Sequence, residues 1–338
     1  MKLIAFSLAI ILIAAAVVPS QTGQPQSSVL SRQAGDRNVP QSAGGQTNKL
    51  PSGQTKPDQD DTLIFDSALV NTFVTVRDEK GRFVSGLTKG DFTVLDDGQE
   101  QTVSYLSREA NLPFTVALVV DRSRSVQRAL AQAQAAAREF FRAVLRPGKD
   151  QAAVVAFDSG VYLLQDLTDD ANALGRAVDQ LSSAGGTSIF DAVYKTVRDR
   201  LAGSTEGRRV IVLITDGDDT TSRASIDQAI ELALRHNVII YAVRLPGDGS
   251  LNVHALRGRP VLEHLTGATG GREFDLTKGE SRLTAFFGQL QDELRSQYSI
   301  GYQFQGAASA GGFHKLTIKS RQSNLNVFTR SGYYAGAQ

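Results

Sequence analysis

Between residues 113 and 297, apolar runs alternate with segments of helical periodicity. The runs at 114–120, 210–214 and 238–243 are apolar almost throughout, which is typical of strands that are buried on both faces of a parallel sheet. The intervening segments repeat apolar residues every three or four positions, as amphipathic helices do. This alternation predicts an α/β fold with a doubly wound, mostly parallel sheet of the Rossmann-like kind.

One interruption of this alternation predicts an antiparallel strand. The apolar run at 152–157 is followed by another at 161–164, and only a short turn containing Ser159 and Gly160 lies between them. So short a connection joins two strands in a hairpin, because a parallel pair needs a longer crossover. We therefore predict one antiparallel edge strand, followed by a helix that Thr168 caps.

The segments on either side of this region have the two-residue period of strands. Residues 62–110 and 298–335 each contain a few short strand candidates, and each is too small to be stable alone. In a doubly wound sheet the first strand begins at the edge where the last helix ends, so both segments leave from the same edge. We predict that they pair as a small accessory β-sandwich, on the side of the α/β domain (113–297) that lies away from Asp121.

Residues 1–20 have the features of a secretory signal peptide, because Lys2 precedes an apolar run that ends at Pro19 and Ser20. An uncleaved membrane anchor is the alternative. Residues 21–61 are rich in Gln, Ser, Gly, Thr and Pro, and this composition predicts a disordered linker. The protein is therefore predicted to be exported to the periplasm, the cell envelope or the extracellular space, with membrane contact only through an uncleaved anchor.

The composition excludes several classes of function. The 338 residues include no cysteine, so disulfides, thiolate catalysis and zinc–thiolate sites are excluded. Lys and Arg together number 36, against 35 Asp and Glu. A nucleic-acid binder would need a basic surplus to neutralise phosphates, so we expect no nucleic-acid partner.

Oxygen-bearing side chains lie at the ends of several predicted elements. Asp121, Ser123 and Ser125 follow the first buried run, Thr187 precedes a predicted helix, and Asp216 follows the run at 210–214. Each alone would be read as a helix cap or a turn residue. Ligand sites of such sheets lie at the carboxyl ends of the strands, and hard oxygen donors suit Mg²⁺ or Mn²⁺. Their coincidence therefore predicts a site for a hard divalent cation.

Residues 113–297 resemble a von Willebrand factor type A domain, whose metal-ion-dependent adhesion site has the pattern D-x-S-x-S…T…D. The five matching residues are Asp121, Ser123, Ser125, Thr187 and Asp216. In the predicted layout, an exported type A domain has a β segment on either side, and Gly301-Tyr302 and Ser331-Gly332-Tyr333-Tyr334 lie near its end. This layout further resembles a group of bacterial proteins, the acidobacterial VWFA-related family. The resemblance implies an adhesion module whose Mg²⁺ or Mn²⁺ captures an Asp or Glu carboxylate of a partner protein.

Charged residues beside the motif are candidates for a partner-binding rim. This rim consists of Arg122, Arg124, Asp218 and Asp219. The alternative is that the arginines turn away and pair with local acids, and that Asp218, Asp219 and Asp191 form a solvated acidic edge. The chain has four scattered histidines, His236, His254, His264 and His314. They lack a metal-ligand spacing, so we expect surface or packing roles for them.

Two other classes of function compete with a binding module. A Mg²⁺-dependent phosphohydrolase would use Asp121 as its nucleophile, but the position two residues further on, where an acid is needed, is Ser123. The sequence has no nucleotide-binding glycine motif and no G-x-S-x-G elbow, so we predict no enzyme and no catalytic residue. The other alternative is a structural or assembly component of the cell envelope without metal-dependent binding.

Overall fold

The computed structural model describes residues 69–108, 110–203, 207–246, 253–277, 283–304 and 311–336. Every described residue lies in one compact unit, Thr62–Gln338. The predicted signal peptide (1–20) and linker (21–61) lie outside the described residues. Among the described helices, none is both long enough and apolar enough to cross a membrane.

The described part of the chain contains strands and helices in the mixed order that the sequence pattern predicts. In chain order they are β1 (Leu69–Asp78), β2 (Phe92–Asp96), β3 (Gln99–Gln101), β4 (Val103–Arg108), β5 (Phe114–Asp121), α1 (Gln127–Val144), β6 (Gln151–Phe157), β7 (Val161–Thr168), α2 (Ala171–Asp179), α3 (Ile189–Thr196), β8 (Arg208–Thr215), α4 (Ile226–Arg235), β9 (Val238–Arg244), α5 (Val253–Thr269), β10 (Glu273–Asp275), α6 (Leu283–Ser296), β11 (Tyr298–Gln303), β12 (Phe313–Ser320), β13 (Leu325–Phe328) and β14 (Gly332–Tyr334).

The central sheet has the strand order β10-β9-β8-β5-β6-β7. Its neighbouring strands are parallel except for β6 and β7, which form an antiparallel pair at one edge. Every residue of β5 and of β9 is buried, which explains why these strands appear in the sequence as almost continuous apolar runs. The structure thus confirms the doubly wound sheet with one antiparallel edge strand.

Helices cover both faces of this sheet. Alternate residues of β5 point to opposite faces: Val116, Leu118 and Val120 pack with α1, α2 and α6, whereas Ala117 and Val119 pack with α3, α4 and α5. The two apolar cores hold the strands in place, so the loops at the strand ends start from fixed positions.

The two flanking segments together form an accessory β-sandwich, as we predicted. One of its sheets has the order β13-β1-β11-β4 and the other has the order β14-β12-β2-β3, so each sheet combines strands from both flanks. Its apolar core includes Val74, Val94, Ile300 and Ile318. The sandwich and the central sheet belong to one compact unit, and the boundaries that we placed at residues 110, 113 and 297 stay predictions.

The sandwich contacts the amino ends of the central strands. Asn71 and Phe73 of β1 line a cavity of about 610 Å³ together with Arg209 and Val238, which lie at the starts of β8 and β9. Asp121 is the last residue of β5 and therefore lies at the opposite, carboxyl end of the sheet. This arrangement agrees with the predicted placement of the sandwich away from Asp121.

Two local features differ from the sequence prediction. The helix α5 was not predicted, because Gly258, Pro260 and Gly267 interrupt its apolar pattern. Thr168 does not cap α2 but ends β7, and Asp170 is the cap, with its carboxylate accepting bonds from the backbone N–H groups at 172 and 173. Asp170 directly precedes the helix, so its carboxylate can reach the first backbone N–H groups, whereas Thr168 lies two residues earlier and belongs to β7.

Candidate functional site

Asp121 is a buried carboxylate that is fixed at the end of β5. The parallel register pairs Val120 with Ile214, which brings Asp121 beside Thr215 at the end of β8. The Thr215 hydroxyl donates to Asp121 Oδ2 at 2.6 Å, and the backbone N–H of Ser123 donates to Oδ1 at 2.7 Å. Both carboxylate oxygens are therefore oriented by neighbouring loops.

Burial raises the pKa of Asp121 from 3.8 to about 7. The hydrogen bonds from Thr215 and Ser123 oppose this rise, whereas the nearby Asp216 carboxylate adds to it by charge repulsion. Two acidic groups therefore lie close together at the end of the sheet, where a cation would relieve both their repulsion and the cost of burying the Asp121 charge.

The hydroxyls of Ser123 and Ser125 lie 3.0 Å apart. Ser123 is extended, and a single 3₁₀ turn at Arg124–Val126 follows it before α1 begins. This tight turn brings two hydroxyls, two positions apart in sequence, to the same side of the loop. Neighbouring ligands of an octahedral Mg²⁺ with bonds of ~2.1 Å are also ~3 Å apart, so the spacing of the hydroxyls fits that ion.

Thr187 is held by its backbone to the loop that follows β8. Its N–H donates to Thr220 Oγ1 at 3.0 Å, and its carbonyl accepts from the N–H groups of Thr220 and Thr221 at 2.8 and 3.0 Å. The side chain of Thr187 is not needed for these bonds. Thr187 is buried, with 4% of its surface exposed.

Further hydrogen bonds connect the Thr187 loop to the Asp121 loop. The N–H of Ala184 donates to the carbonyl of Arg122 at 2.7 Å, and the Ser183 hydroxyl donates to the carbonyl of Ser123 at 3.2 Å. Each of the three loops that carry the predicted ligands is therefore bonded to the others. The structure places all five predicted ligands on these three loops.

Asp216 is positioned by a close backbone contact behind it. Gly217 has a φ of +92°, and a Cβ atom added there would lie 2.8 Å from the backbone of Gly258 in α5. Only glycine allows both the left-handed conformation and this approach. The Asp-Gly step thus lets the loop turn tightly against α5 while Asp216 stays buried, with 5% exposed.

The predicted rim residues differ in their surroundings. Arg122 Nε lies 3.0 Å from Asp158 Oδ2, and its guanidinium group lies over the ring of Tyr162. For Arg122, the structure therefore agrees with the alternative in which the arginine pairs with a local acid. Arg124 is exposed. The alternative of a solvated acidic edge does not hold for Asp219 and Asp191, whose carboxylates are bonded within the protein. Asp219 Oδ1 accepts bonds from the N–H of Ile189 and the hydroxyl of Ser222, and Asp191 Oδ1 accepts from the backbone N–H groups at 223 and 224.

Sequence reasoning missed two residues that organise the site. Thr215 orients Asp121, and Thr220 holds the backbone of Thr187. Thr215 gave a usable signal, because it is a polar residue at the end of an apolar run, directly before Asp216. Thr220 gave none, because its partner is 33 residues away in the chain.

Together, these residues offer two carboxylates and three hydroxyls at the carboxyl end of the sheet. Asp121 and Asp216 bring negative charge, and Ser123, Ser125 and Thr187 bring neutral oxygens. This is an all-oxygen donor set, which suits Mg²⁺ or Mn²⁺ and lacks the nitrogen and sulfur ligands that structural zinc sites use.

In the metal-free protein, we expect the burial of Asp121 to make stability depend on pH. The unfolded chain loses this proton near pH 3.8, whereas the folded protein keeps it up to about pH 7. The free energy of unfolding should therefore fall as the pH rises through this window, by up to about 4 kcal/mol, and stay level above it. Urea unfolding of the wild type and of Asp121→Asn across the window measures the difference between them. A difference that does not change with pH would contradict the raised pKa.

Comparisons with known proteins give the following similarities. Residues 116–218 match the family model of the von Willebrand factor type A domain. No curated protein matches this chain. Among solved structures, the conserved hypothetical protein BatB from Bacteroides thetaiotaomicron is 14% identical, with 54% of this chain and 97% of that chain covered and a TM-score of 0.43.

Two further solved structures are similar at the same level. The vWF domain of the type V pili tip protein Mfa5 from Porphyromonas gingivalis is 14% identical, with 54% of this chain and 94% of that chain covered and a TM-score of 0.42. A von Willebrand factor type A protein from Catenulispora acidiphila is 14% identical, with 80% of this chain and 74% of that chain covered and a TM-score of 0.45. The identification rests on the family model, which shows that residues 116–218 of this chain are similar to the von Willebrand factor type A domain.

Proposed function

We propose that this chain is an exported adhesion module that binds a partner protein through a divalent metal ion. Asp121, Ser123, Ser125, Thr187 and Asp216 hold one Mg²⁺ or Mn²⁺, directly or through water, and a carboxylate of the partner completes the coordination. The main support is the hydrogen bonding that joins the three ligand-bearing loops beside the buried carboxylate of Asp121.

The chemistry of the proposed site is binding rather than catalysis. A bound Mg²⁺ keeps some of its waters, so a partner carboxylate can replace one of them. Asp121 receives hydrogen bonds on both oxygens, and the position two residues further on is the hydroxyl of Ser123 instead of an acid. These groups can hold an ion, but they do not supply the acid–base pair that phosphoryl transfer through Asp121 would need.

The charge around the proposed site favours an acidic partner. Arg124 is exposed between the two motif serines, and its positive charge adds to that of the metal. Arg122 contributes less, because Asp158 neutralises it. We propose Arg124 as the main rim residue, which speeds association, and Asp218 as the acidic side of the same rim. The Asp219 carboxylate is bonded to the start of α3 instead.

The proposal predicts a metal-dependent interaction with envelope proteins. The immobilised full chain should retain partner proteins from a cell-envelope extract in Mg²⁺ and release them when EDTA is added. Converting the carboxylates of the extract to amides should prevent retention, because the metal then lacks its last ligand. Mass spectrometry of the eluates measures the retained proteins.

Two variants control this experiment. Asp121→Asn should retain nothing that EDTA releases. Asp166 lies on the edge strand β7, and its exposed carboxylate pairs with Arg200. The variant Asp166→Asn should behave as the wild type. Retention that persists in EDTA and in Asp121→Asn would reject the adhesion-site mechanism and favour an envelope component without metal-dependent binding.

A further inference from the structure

A second group of potential metal ligands lies in the accessory sandwich, separate from the proposed adhesion site. His314 on β12 faces Asp96, at the end of β2, and Asp97, in the turn that follows. The Nδ1 atom of His314 lies 3.0 Å from Asp97 Oδ2 and 3.7 Å from Asp96 Oδ1. The three ligand atoms all lie within 4.8 Å of one another.

Each carboxylate has one oxygen fixed by the protein and the other directed at the imidazole. Asp96 Oδ2 accepts hydrogen bonds from the hydroxyls of Tyr302 and Tyr333, both at 2.7 Å. Asp97 Oδ1 accepts from the backbone N–H of Lys315 at 2.8 Å. Partners of this kind orient the ligands of metal sites, because they fix one oxygen and leave the other available.

The atoms that face one another are buried without hydrogen bonds. Within the described residues, Asp96 Oδ1 and both ring nitrogens of His314 have no hydrogen-bond partner. The Asp96 side chain is fully buried and that of His314 is 6% exposed. The contact between Nδ1 and Asp97 Oδ2 is short enough for a hydrogen bond but lacks its geometry. Leaving such polar atoms unpaired is costly, whereas a shared ligand would satisfy them.

The buried Asp96 carboxylate interacts with the charge of Arg330, but within the described residues it forms no ion pair with a Lys or Arg. Among the described residues, the ion pairs of Asp96 and Asp97 are those with His314. Arg330 lies nearby, over the ring of Tyr333, but it donates its hydrogen bonds to Asn237 and to the carbonyl of Asn71. A divalent cation between the carboxylates would supply the missing positive charge.

We propose that Asp96 Oδ1, Asp97 Oδ2 and His314 Nδ1 bind a Zn²⁺ ion. One imidazole nitrogen with two carboxylates is a donor set that zinc accepts, whereas Mg²⁺ favours oxygen ligands alone. Neighbouring ligands of a tetrahedral zinc ion with bonds of ~2 Å are ~3.3 Å apart, and the separations of Nδ1 from the two oxygens bracket this value. The Asp97 side chain is 50% exposed, so the ion can enter from solvent and keep a water as its fourth ligand.

Such an ion would join the two flanks of the chain. It would fix the β2–β3 turn, from the N-terminal flank, to β12, from the C-terminal flank. Because the chain has no cysteine, no disulfide can make this connection. The zinc is therefore a structural ligand of the sandwich, independent of the proposed adhesion site, and its binding energy adds to folding.

The test uses zinc chloride alone, on the full-length Asp121→Asn chain, so that the adhesion site does not compete for the metal. Equilibrium dialysis should give one bound Zn²⁺ per chain. The midpoint of thermal unfolding should rise by several degrees in Zn²⁺ and stay unchanged in Mg²⁺.

Two variants test the ligands and one controls for histidine. Asp97→Asn should weaken zinc binding by about 100-fold, because an amide nitrogen replaces Oδ2. This variant should still fold, since Asn tolerates the left-handed backbone of residue 97 (φ 48°) and keeps the acceptor for Lys315. His314→Gln should lose binding similarly, whereas His264→Gln, at an exposed histidine, should change nothing.

Two results would overturn the inference. Either no zinc binds to the parent chain, or zinc binds Asp97→Asn as tightly as the parent chain. Neither result bears on the adhesion site, which Asp121→Asn has already removed.

Discussion

Replacing Asp121 with Asn should weaken the binding of Mg²⁺ and Mn²⁺ by at least about 100-fold. The proposed site has two carboxylates, and Asp121 is the one with both oxygens oriented by hydrogen bonds, from Thr215 and Ser123. Asn has nearly the same shape but removes the negative charge and puts a nitrogen where the ion needs an oxygen. Titration of the full chain with Mn²⁺, followed by the electron paramagnetic resonance signal of the free ion, measures the loss.

The same variant should not lose stability. In the metal-free protein near neutral pH, Asn removes the cost of burying the Asp121 charge, so Asp121→Asn should unfold at the same or a higher urea concentration than the wild type. Asp166→Asn, at an exposed carboxylate, should bind Mn²⁺ as the wild type does. Wild-type Mn²⁺ affinity in Asp121→Asn would show that the five motif residues do not form the metal site.

The candidate ligands were predictable from sequence because the information is local. Asp121, Ser123 and Ser125 lie within five positions of one another, directly after an apolar run that is buried on both faces. In a parallel sheet, the ends of such runs meet at one edge, so a local pattern has a predictable position in space. The same reasoning brings Asp216, which directly follows β8, next to Asp121.

The contacts that support the ligands were not predictable in the same way. The bond between Thr215 and Asp121 joins residues 94 positions apart, and its existence depends on the pairing of β5 with β8. Asp219 was predicted to be a rim residue, with a solvated edge as the alternative, yet its carboxylate accepts a hydrogen bond from the first backbone N–H of α3, which has no partner within the helix. Strand order and helix placement decide these contacts.

The sandwich shows a similar limit. The two-residue period of the flanks predicted strands, and their marginal size predicted that they pair, but no pattern gave the partners of each strand. His314 and Asp96 are 218 residues apart, and the pairing of β12 with β2 brings them together. A search for metal-ligand spacing within the sequence cannot find such a cluster, which explains why we expected only surface or packing roles for His314.

Replacing Glu293 with Gln should destabilise the protein by about 3 kcal/mol or more. Glu293 on α6 is 1% exposed and accepts hydrogen bonds from Arg77 at 2.5 Å and Arg272 at 2.9 Å. The hydroxyls of Tyr241 and Thr75 also donate to it, at 3.2 and 3.3 Å. The carboxylate thus connects β1 of the sandwich with α6 and with β9 of the central sheet. Without its charge, two arginines would face each other in a buried place.

Urea unfolding of the full chain, followed by circular dichroism, measures this cost. Glu263→Gln is a matched control, because Glu263 is exposed on α5 and pairs only weakly with the exposed Arg259 across one helical turn. An exposed pair of this kind contributes about 0.5 kcal/mol or less. If Glu293→Gln cost no more than Glu263→Gln, the buried cluster would make no net contribution to stability.

A second substitution separates the effect of charge from that of packing. The cluster of Arg77, Arg272 and Glu293 carries a net charge of +1, by two arginines and one carboxylate, and Glu293→Gln raises it to +2. Adding Arg77→Met returns the charge to +1, while the methionine chain still fills space beside Phe83, which the arginine now covers. Burial lowers the pKa of Arg272, and the Glu293 charge opposes this, so Arg272 is strongly affected by the loss of the carboxylate.

We therefore expect the double variant to recover about 1 kcal/mol or more relative to the sum of the single variants. Additive costs would mean that lost packing, and not an uncompensated buried charge, destabilises the Glu293 variant.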